Sequence, residues 1–280
     1  MNQSKRTIVI LAGIITSIVV LFPSMARQIK GTATYISDRN MANLSFSGKN
    51  FDPATQAKLQ EQLKRQFRKE YELRFTQTES VWKELEGLES DAGPAASGGA
   101  MIKVTTGGGI TYKNSATREL IEKKESFSKL YLIKGDLPER KWVMTGQTKK
   151  IGNYTCSEAV YESIKERRTL SFSNEDQKTE TVMDTTEVQV WFTTEIPVPH
   201  GPANYWGLPG LILEMTDGKV TYLCNKVVLN PEKFAEIKAP KKGKAISMEE
   251  YKKISEEMAQ NMMKKYSTGD GSSTVIKIGN

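Results

Sequence analysis

The chain has one histidine and two cysteines among 280 residues, and these scarcities exclude a good deal. A disulfide-rich scaffold or an all-cysteine zinc site needs more thiols than are present. Any site built on two histidines is ruled out, and no HxH, HExxH or CxxC spacing occurs, so neither a metal nor a cofactor is expected. A serine or cysteine nucleophile would depend on His200 as its base. That residue stands in Pro199-His200-Gly201, which reads as a turn-forming segment of a mobile loop. The 33 acids offer no spacing that singles out a carboxylate pair. The sequence therefore reads as that of a non-enzyme. A concentrated basic face is missing as well. The net charge is +7, but clusters such as Lys149-Lys150, Arg167-Arg168 and Lys241-Lys242-Gly243-Lys244 are short and read as solvated turns and a linker. Nucleic acid is not an expected partner, while peripheral contact with an anionic membrane surface stays compatible.

The one long apolar run is an address. Lys5 and Arg6 precede residues 7–22, which are almost all apolar, and Ser24-Met25-Ala26 puts small residues at the −3 and −1 positions of a cleavage site. Residues 1–26 thus read as a secretory signal peptide. The alternative is an uncleaved anchor, for which the run is short of the ~20 residues a bilayer span needs. No cysteine marks a lipoprotein site, and export to the periplasm or outer envelope is the expectation.

Beyond the leader the chain reads as mainly β (α+β). Residues 27–239 form the β-rich domain, and residues 240–280 a C-terminal helix and tail packed on it. Residues 31–46 open with alternating apolar positions, as a first strand or hairpin. Phe51-Asp52-Pro53 starts a helix, with Asp52 as cap, and Leu59, Leu63, Phe67 and Tyr71 make an apolar stripe that carries it to about Lys69. Residues 72–85 read as one strand and 87–99 as a surface loop. Gly107-Gly108-Gly109 reads as a turn, since no lysine follows in phosphate-loop spacing. Short strands are expected at 110–113, 117–124, 128–133, 141–144, 149–151 and 154–164, separated by turns as in an antiparallel meander. Residues 173–184 are polar and read as a loop, and 186–193 as a strand. Ser247 and Glu250 form a capping box, and Tyr251, Ile254, Met258 and Met262 a helical stripe, either packed on the sheet or serving as a lid over an apolar cavity. The architecture expected is a curved open sheet or half-barrel with flanking helices.

Residues 191–230 are the most informative. Ile196-Pro197-Val198-Pro199 is extended. In Leu208-Pro209-Gly210-Leu211 proline followed by glycine predicts a type II turn with Gly210 at positive φ, a structural corner. Asp217-Gly218 signals a hairpin, and its register puts Leu211, Leu213 and Met215 on the same apolar side as Val220, Tyr222 and Cys224.

The run Gly207-Leu208-Pro209-Gly210-Leu211-Ile212 resembles the motif for which the GLPGLI family is named. Trp191, Thr193, Glu195-Ile196-Pro197 and Gly201-Pro202 resemble the segment before that motif. Trp142, residues 149–151, Tyr154, Cys156 and Ala159 resemble the family's other recurring stretch. The likeness covers roughly residues 71–229. It implies an exported protein of Gram-negative bacteria and brings no established activity with it.

Two non-catalytic functions compete, with the first narrowly ahead. The first is a carrier of an apolar small molecule such as a lipid, held by a greasy concave face. The second is a structural or accessory protein docking onto an envelope protein through residues 196–210, with Tyr205 and Trp206 as exposed anchors. The candidate ligand or partner residues are Trp191, Tyr205, Trp206, Leu208, Leu211, Leu213 and Tyr222. In an oxidising compartment Cys156 and Cys224 could pair. Two separate buried thiols, acting as small hydrophobes, are the preferred reading.

Overall fold

A computed structural model describes residues 29–40, 67–85, 109–126, 128–172 and 177–267. The expected leader, the body of the expected helix after Pro53, the 87–99 loop and an edge strand expected at 274–278 lie outside the described residues. Twelve strands form one open sheet in the order β12-β6-β5-β4-β3-β2-β1-β11-β10-β9-β8-β7. They are β1 (Gly31–Arg39), β2 (Lys69–Phe75), β3 (Glu79–Leu85), β4 (Ile110–Asn114), β5 (Glu119–Ser126), β6 (Lys129–Asp136), β7 (Val143–Ile151), β8 (Tyr154–Phe172), β9 (Gln177–Thr193), β10 (Leu211–Thr216), β11 (Val220–Leu229) and β12 (Lys244–Ser247). Every pairing is antiparallel except that of β12 with β6. The expected mainly β, curved open sheet is what is found.

Alternation explains the strands and their faces. In β1, Gly31, Ala33, Tyr35 and Ser37 are buried while the residues between them are half-buried, the period-2 pattern of a sheet with one core face. Strands β3 and β8 lie six places apart in the sheet order, yet Trp82 of β3 shares one buried cluster with Cys156 of β8. The sheet must curl to bring them together. The bend passes through β10, where the pairing with β9 shifts between Ile212 and Glu214. A bulge of this kind lets one strand serve two faces. Leu211 and Leu213 therefore enter the first cluster, whereas Ile212 and Met215 enter a second with Val188, Val190 and Phe192. The expectation that Met215 shares a face with Leu211 and Leu213 is corrected accordingly, because strict alternation fails across the bulge.

Four other expectations change. The single strand over 72–85 is a hairpin of β2 and β3, closed over Gln77-Thr78, with Thr76 N donating to the Glu79 carbonyl at 2.8 Å. That turn contains no glycine, proline or asparagine to betray it. Lys69, the approximate end expected for the preceding helix, already belongs to β2. The polar stretch 173–184 is strand from Gln177 onward, pairing with β8 as far as Phe172↔Gln177. Thr179, Thr181 and Val182 have strand propensity. The expected strands at 141–144 and 149–151 join as β7, with Gly146 at φ +79° in an irregularity between them.

The C-terminal helix α1 (Met248–Ser267) begins as expected. Glu250 N donates to Ser247 Oγ (3.1 Å) and Ser247 N to Glu250 Oε2 (2.8 Å), a capping box. Tyr251 and Ile254 pack on Tyr131, Ile133 and Ile246, so this end of the helix covers β6 and β12. No helix among the described residues is long and apolar enough to cross a membrane.

Candidate functional site

The connection from β9 to β10, residues 194–210, is held by hydrogen bonds rather than by regular structure. Val198 N donates to the Ile196 carbonyl and His200 N to the Val198 carbonyl, at 2.8 and 2.9 Å. Ile212 N returns to the His200 carbonyl at 3.0 Å, and Trp206 pairs with His200 as an isolated bridge. Lys113 clamps the segment from inside. It is fully buried on β4, and its Nζ donates to the Gly201 carbonyl (2.7 Å) and the Tyr205 carbonyl (2.9 Å). Burial, with Arg140 adding to it, pushes its amine well below the ordinary lysine range. His200 is also fully buried, and neither ring nitrogen has a hydrogen-bond partner. Burial first and Lys113 second lower its pKa to about 3, so the ring is neutral at pH 7. His200 is thus a sealed interior residue, not the mobile-loop residue expected.

The linker 137–142 clamps the same segment from outside. Trp206 Nε1 donates to the Pro138 carbonyl (2.9 Å), and Trp142 Nε1 to the Trp206 carbonyl (3.1 Å). Arg140 donates to the Asn204 carbonyl (3.0 Å), to Asn204 Oδ1 (2.8 Å) and to Tyr161 Oη (3.2 Å). Its guanidinium also lies 4.7 Å from the Tyr205 ring centre and 5.6 Å from that of Tyr161. Burial and the neighbouring Tyr161 raise the Tyr205 phenol pKa.

Glycine roles within the Gly207–Ile212 motif differ from expectation. Gly207, not Gly210, takes positive φ, at +96°. Gly210 is needed because a Cβ there would sit 2.6 Å from the Thr193 carbonyl carbon and closer still to its oxygen. The predicted type II turn at Gly210 is therefore corrected to a close approach of two backbone segments. Proline-glycine sequence cannot distinguish the two, because both favour a residue with no Cβ.

The seven candidate residues do not converge on one surface. Leu211, Leu213 and Leu208 are at most 2% exposed. Leu211, Leu213 and Trp191 belong to the cluster that holds Tyr35 and Trp82. Lys149 caps Trp191 at 4.3 Å from the ring centre and pairs with Glu214 at 2.7 Å. Tyr222 is half-buried and meets Tyr71 and Trp82 edge-on at 5.5 Å. Trp206 is half-buried, and Tyr205, expected to be exposed, is buried at 9%. Cys156 and Cys224 are both buried as free thiols in the same cluster, raised by burial to about 11 and about 12.

Only Tyr205 of the seven lines the cleft at the outer end of the clamped segment. This cleft has a volume of about 870 Å³. One wall is the linker at Pro138–Lys141, the other is β8 at Val160–Ile164 with Glu187 of β9, and Asn204 and Tyr205 close one end. Its apolar patches are uncovered: Val143 is 60% and Ile164 61% exposed. Glu162 and Glu187 face each other across the β8–β9 ladder, and neither has an ion-pair partner among the described residues. No group of three or more His, Cys, Asp or Glu is placed to hold a metal among the described residues. None of the described residues that line the cleft is a histidine or a cysteine. Sequence reading missed Arg140, Tyr161, Glu162, Ile164 and Lys113. Each is an ordinary strand or linker residue whose role depends on what the fold sets opposite it.

Residues 142–214 match the model of a family described as "Protein of unknown function (Porph_ging)". That stretch runs from β7 through the clamped segment into β10 and contains most of the cleft. No curated protein matches the chain. Among solved structures the chain is similar to PNGF-II in space group C2, at 15% identity and TM-score 0.44, covering 81% of this chain and 32% of that one. It is likewise similar to PNGF-II in space group P21, at 12% identity and TM-score 0.44, covering 81% and 33%. The chain thus spans about a third of the length of those structures.

Proposed function

We propose that the chain is a GLPGLI-type exported, non-catalytic binding protein that docks a protein partner of the bacterial envelope at the cleft beside Tyr205. The observation that carries this reading is the cleft itself, about 870 Å³ in volume, set at the end of a segment clamped by Lys113 and Arg140. A preorganised surface binds with little ordering cost. Uncovered Val143 and Ile164 beside the Tyr161 and Tyr205 rings give the mixed apolar and polar character of a docking site. The non-catalytic reading rests on His200, which is neutral and sealed from solvent. The apolar-carrier reading, ahead on sequence alone, falls to second place. Its binding wall was to be Leu211, Leu213 and Tyr222, and the two leucines are packed tightly in the core.

Native mass spectrometry of protein purified from its own envelope tests the choice. A co-purifying protein that is lost on Ile164→Lys supports docking at the cleft. A co-purifying lipid that survives this substitution supports the carrier instead.

A further inference from the structure

We propose that the cleft takes an extended, lysine- or arginine-bearing peptide segment, which adds as a strand to the free outer edge of β8 at Tyr161–Ile164. The inference rests on the docking reading above and names the chemistry of the partner. Its first support is geometric. Side chains of a strand alternate between the faces of a sheet, so a pocket on one face is lined by every second residue. Here five consecutive residues, Val160 through Ile164, line the cleft. The cleft therefore follows the edge of β8 and not either of its faces.

The edge is free at that point. Strand β7 leaves β8 at Val143↔Val160, while β8 continues with β9 through Tyr161↔Val188 to Phe172↔Gln177. No backbone hydrogen bond from the linker reaches β8 beyond Val160 among the described residues. Alternate N–H and C=O groups of Tyr161–Ile164 thus point into the cleft without a strand partner. An exposed edge of this kind is the template for strand addition. At about 3.3 Å per residue the five lining positions span roughly 16 Å, the length of a four- or five-residue segment.

Charge selects the occupant. Glu162 and Glu187 are directly opposite across the ladder, both exposed, and neither has an ion-pair partner among the described residues. Like charges so placed repel, and a cation laid between them relieves the repulsion. Glu139, also in the cleft, is already paired with Arg118 at 2.7 Å. Arg140 is held by Asn204 and Tyr161 on the opposite wall, and Lys141 is exposed beside it. A segment paired to this edge would therefore present its basic side chains on the face of Glu162 and Glu187 and its alternate, apolar side chains on the face of Tyr161. The same acids oppose edge-to-edge pairing with a second copy, which would bring Glu162 of each chain towards the other.

The test uses the full chain and three blocked, fluorescein-labelled octapeptides: alternating Lys-Val, alternating Glu-Val, and Lys-Val methylated on alternate backbone nitrogens. Anisotropy titrations should show Lys-Val binding, with Glu-Val about tenfold weaker or worse, as expected when a close charge pair is lost or reversed. The methylated peptide, deprived of its ladder donors, should bind no better than Glu-Val. The double variant E162Q/E187Q should weaken Lys-Val about tenfold, and Glu187→Lys should shift preference towards Glu-Val. Equal binding of the two charge types, full binding of the methylated peptide, indifference to E162Q/E187Q, or no binding of Lys-Val would each overturn the proposal. If Lys-Val fails while Ile164→Lys still strips a native protein partner, the strand-addition inference falls and the docking reading stands. If Ile164→Lys leaves that partner bound, the docking reading falls with it.

Discussion

The clamped segment 194–210 and the β8–β9 ribbon beyond Val160 invert the usual association of regular structure with rigidity. The first has almost no regular structure, yet Ile196, Val198 and His200 are at most 1% exposed. The second is continuous ladder, projecting about 40 Å beyond its last sheet neighbours. There Ile164 and Met183 are each more than half exposed. The difference lies in where backbone polar groups and side chains find partners. A loop whose carbonyls are met by Lys113 and whose apolar side chains are buried is part of the core. A two-stranded ribbon is marginal on its own. Hydrogen exchange should reflect this, with the amides of Val198, His200 and Ile212 outlasting those of Ser163 and Ile164. Equal protection would erase the contrast.

The largest effect should come from removing the internal clamp. Lys113→Ala orphans two buried carbonyls and leaves a cavity, and should cost about 3–5 kcal/mol in urea unfolding. Lys113→Met keeps the volume and should cost about 2 kcal/mol, which isolates the hydrogen bonds. A Met variant as stable as the native protein would mean that the segment is held by packing alone.

Acid offers a second way to break the same region. The folded-state pKa of His200 is depressed from 6.5 to about 3, so below pH 6.5 the unfolded chain binds a proton that the folded chain refuses. The contribution is fully present above pH 6.5 and is lost progressively as pH falls towards 3, at up to ~1.4 kcal/mol per pH unit. His200→Leu should flatten that part of the stability–pH curve by one proton's worth. An unchanged slope would place the titration elsewhere.

The two motif glycines sharpen the picture within the segment. Gly210→Ala forces a Cβ onto the Thr193 backbone and should cost about 1–3 kcal/mol. Gly207→Ala meets open space, with Trp142 Nε1 3.8 Å away, and should cost only the ~1 kcal/mol of a positive φ. Thermal melts that reverse this order would restore the type II turn that the sequence suggested.

The smallest effect belongs to the ribbon. Glu187→Lys replaces a like-charge cross-strand pair with an opposite one and should stabilise by ~0.2–1 kcal/mol. A destabilised variant would show that Glu162 and Glu187 are compensated in solution.

Much of the strand inventory was legible because alternation is local. Gly31 to Ser37, Leu120-Ile121 and Val188 to Phe192 carry their facing in their own sequence. The capping box at Ser247 and Glu250 was legible for the same reason, its partners being three residues apart. The β2–β3 turn was not, because Thr76 supplies by hydrogen bonding what glycine or asparagine would have advertised. The cleft was not legible either. Tyr161 and Glu162 look like any strand pair until β7 is seen to stop at Val143.

Sequence by itself determined the mainly β class, most strand positions, the helix start at Ser247 and the importance of Gly207–Ile212. All of these follow from periodicity, propensity and the stereochemistry of neighbouring residues. Only the tertiary structure decided that Lys113 and His200 lie sealed under a loop, that Gly210 is a point of backbone contact, and that β8 presents a free edge beside Tyr205. These depend on which strands end where and which segments cross. Such facts are set by pairings between residues tens of positions apart, and no local pattern in the chain encodes them.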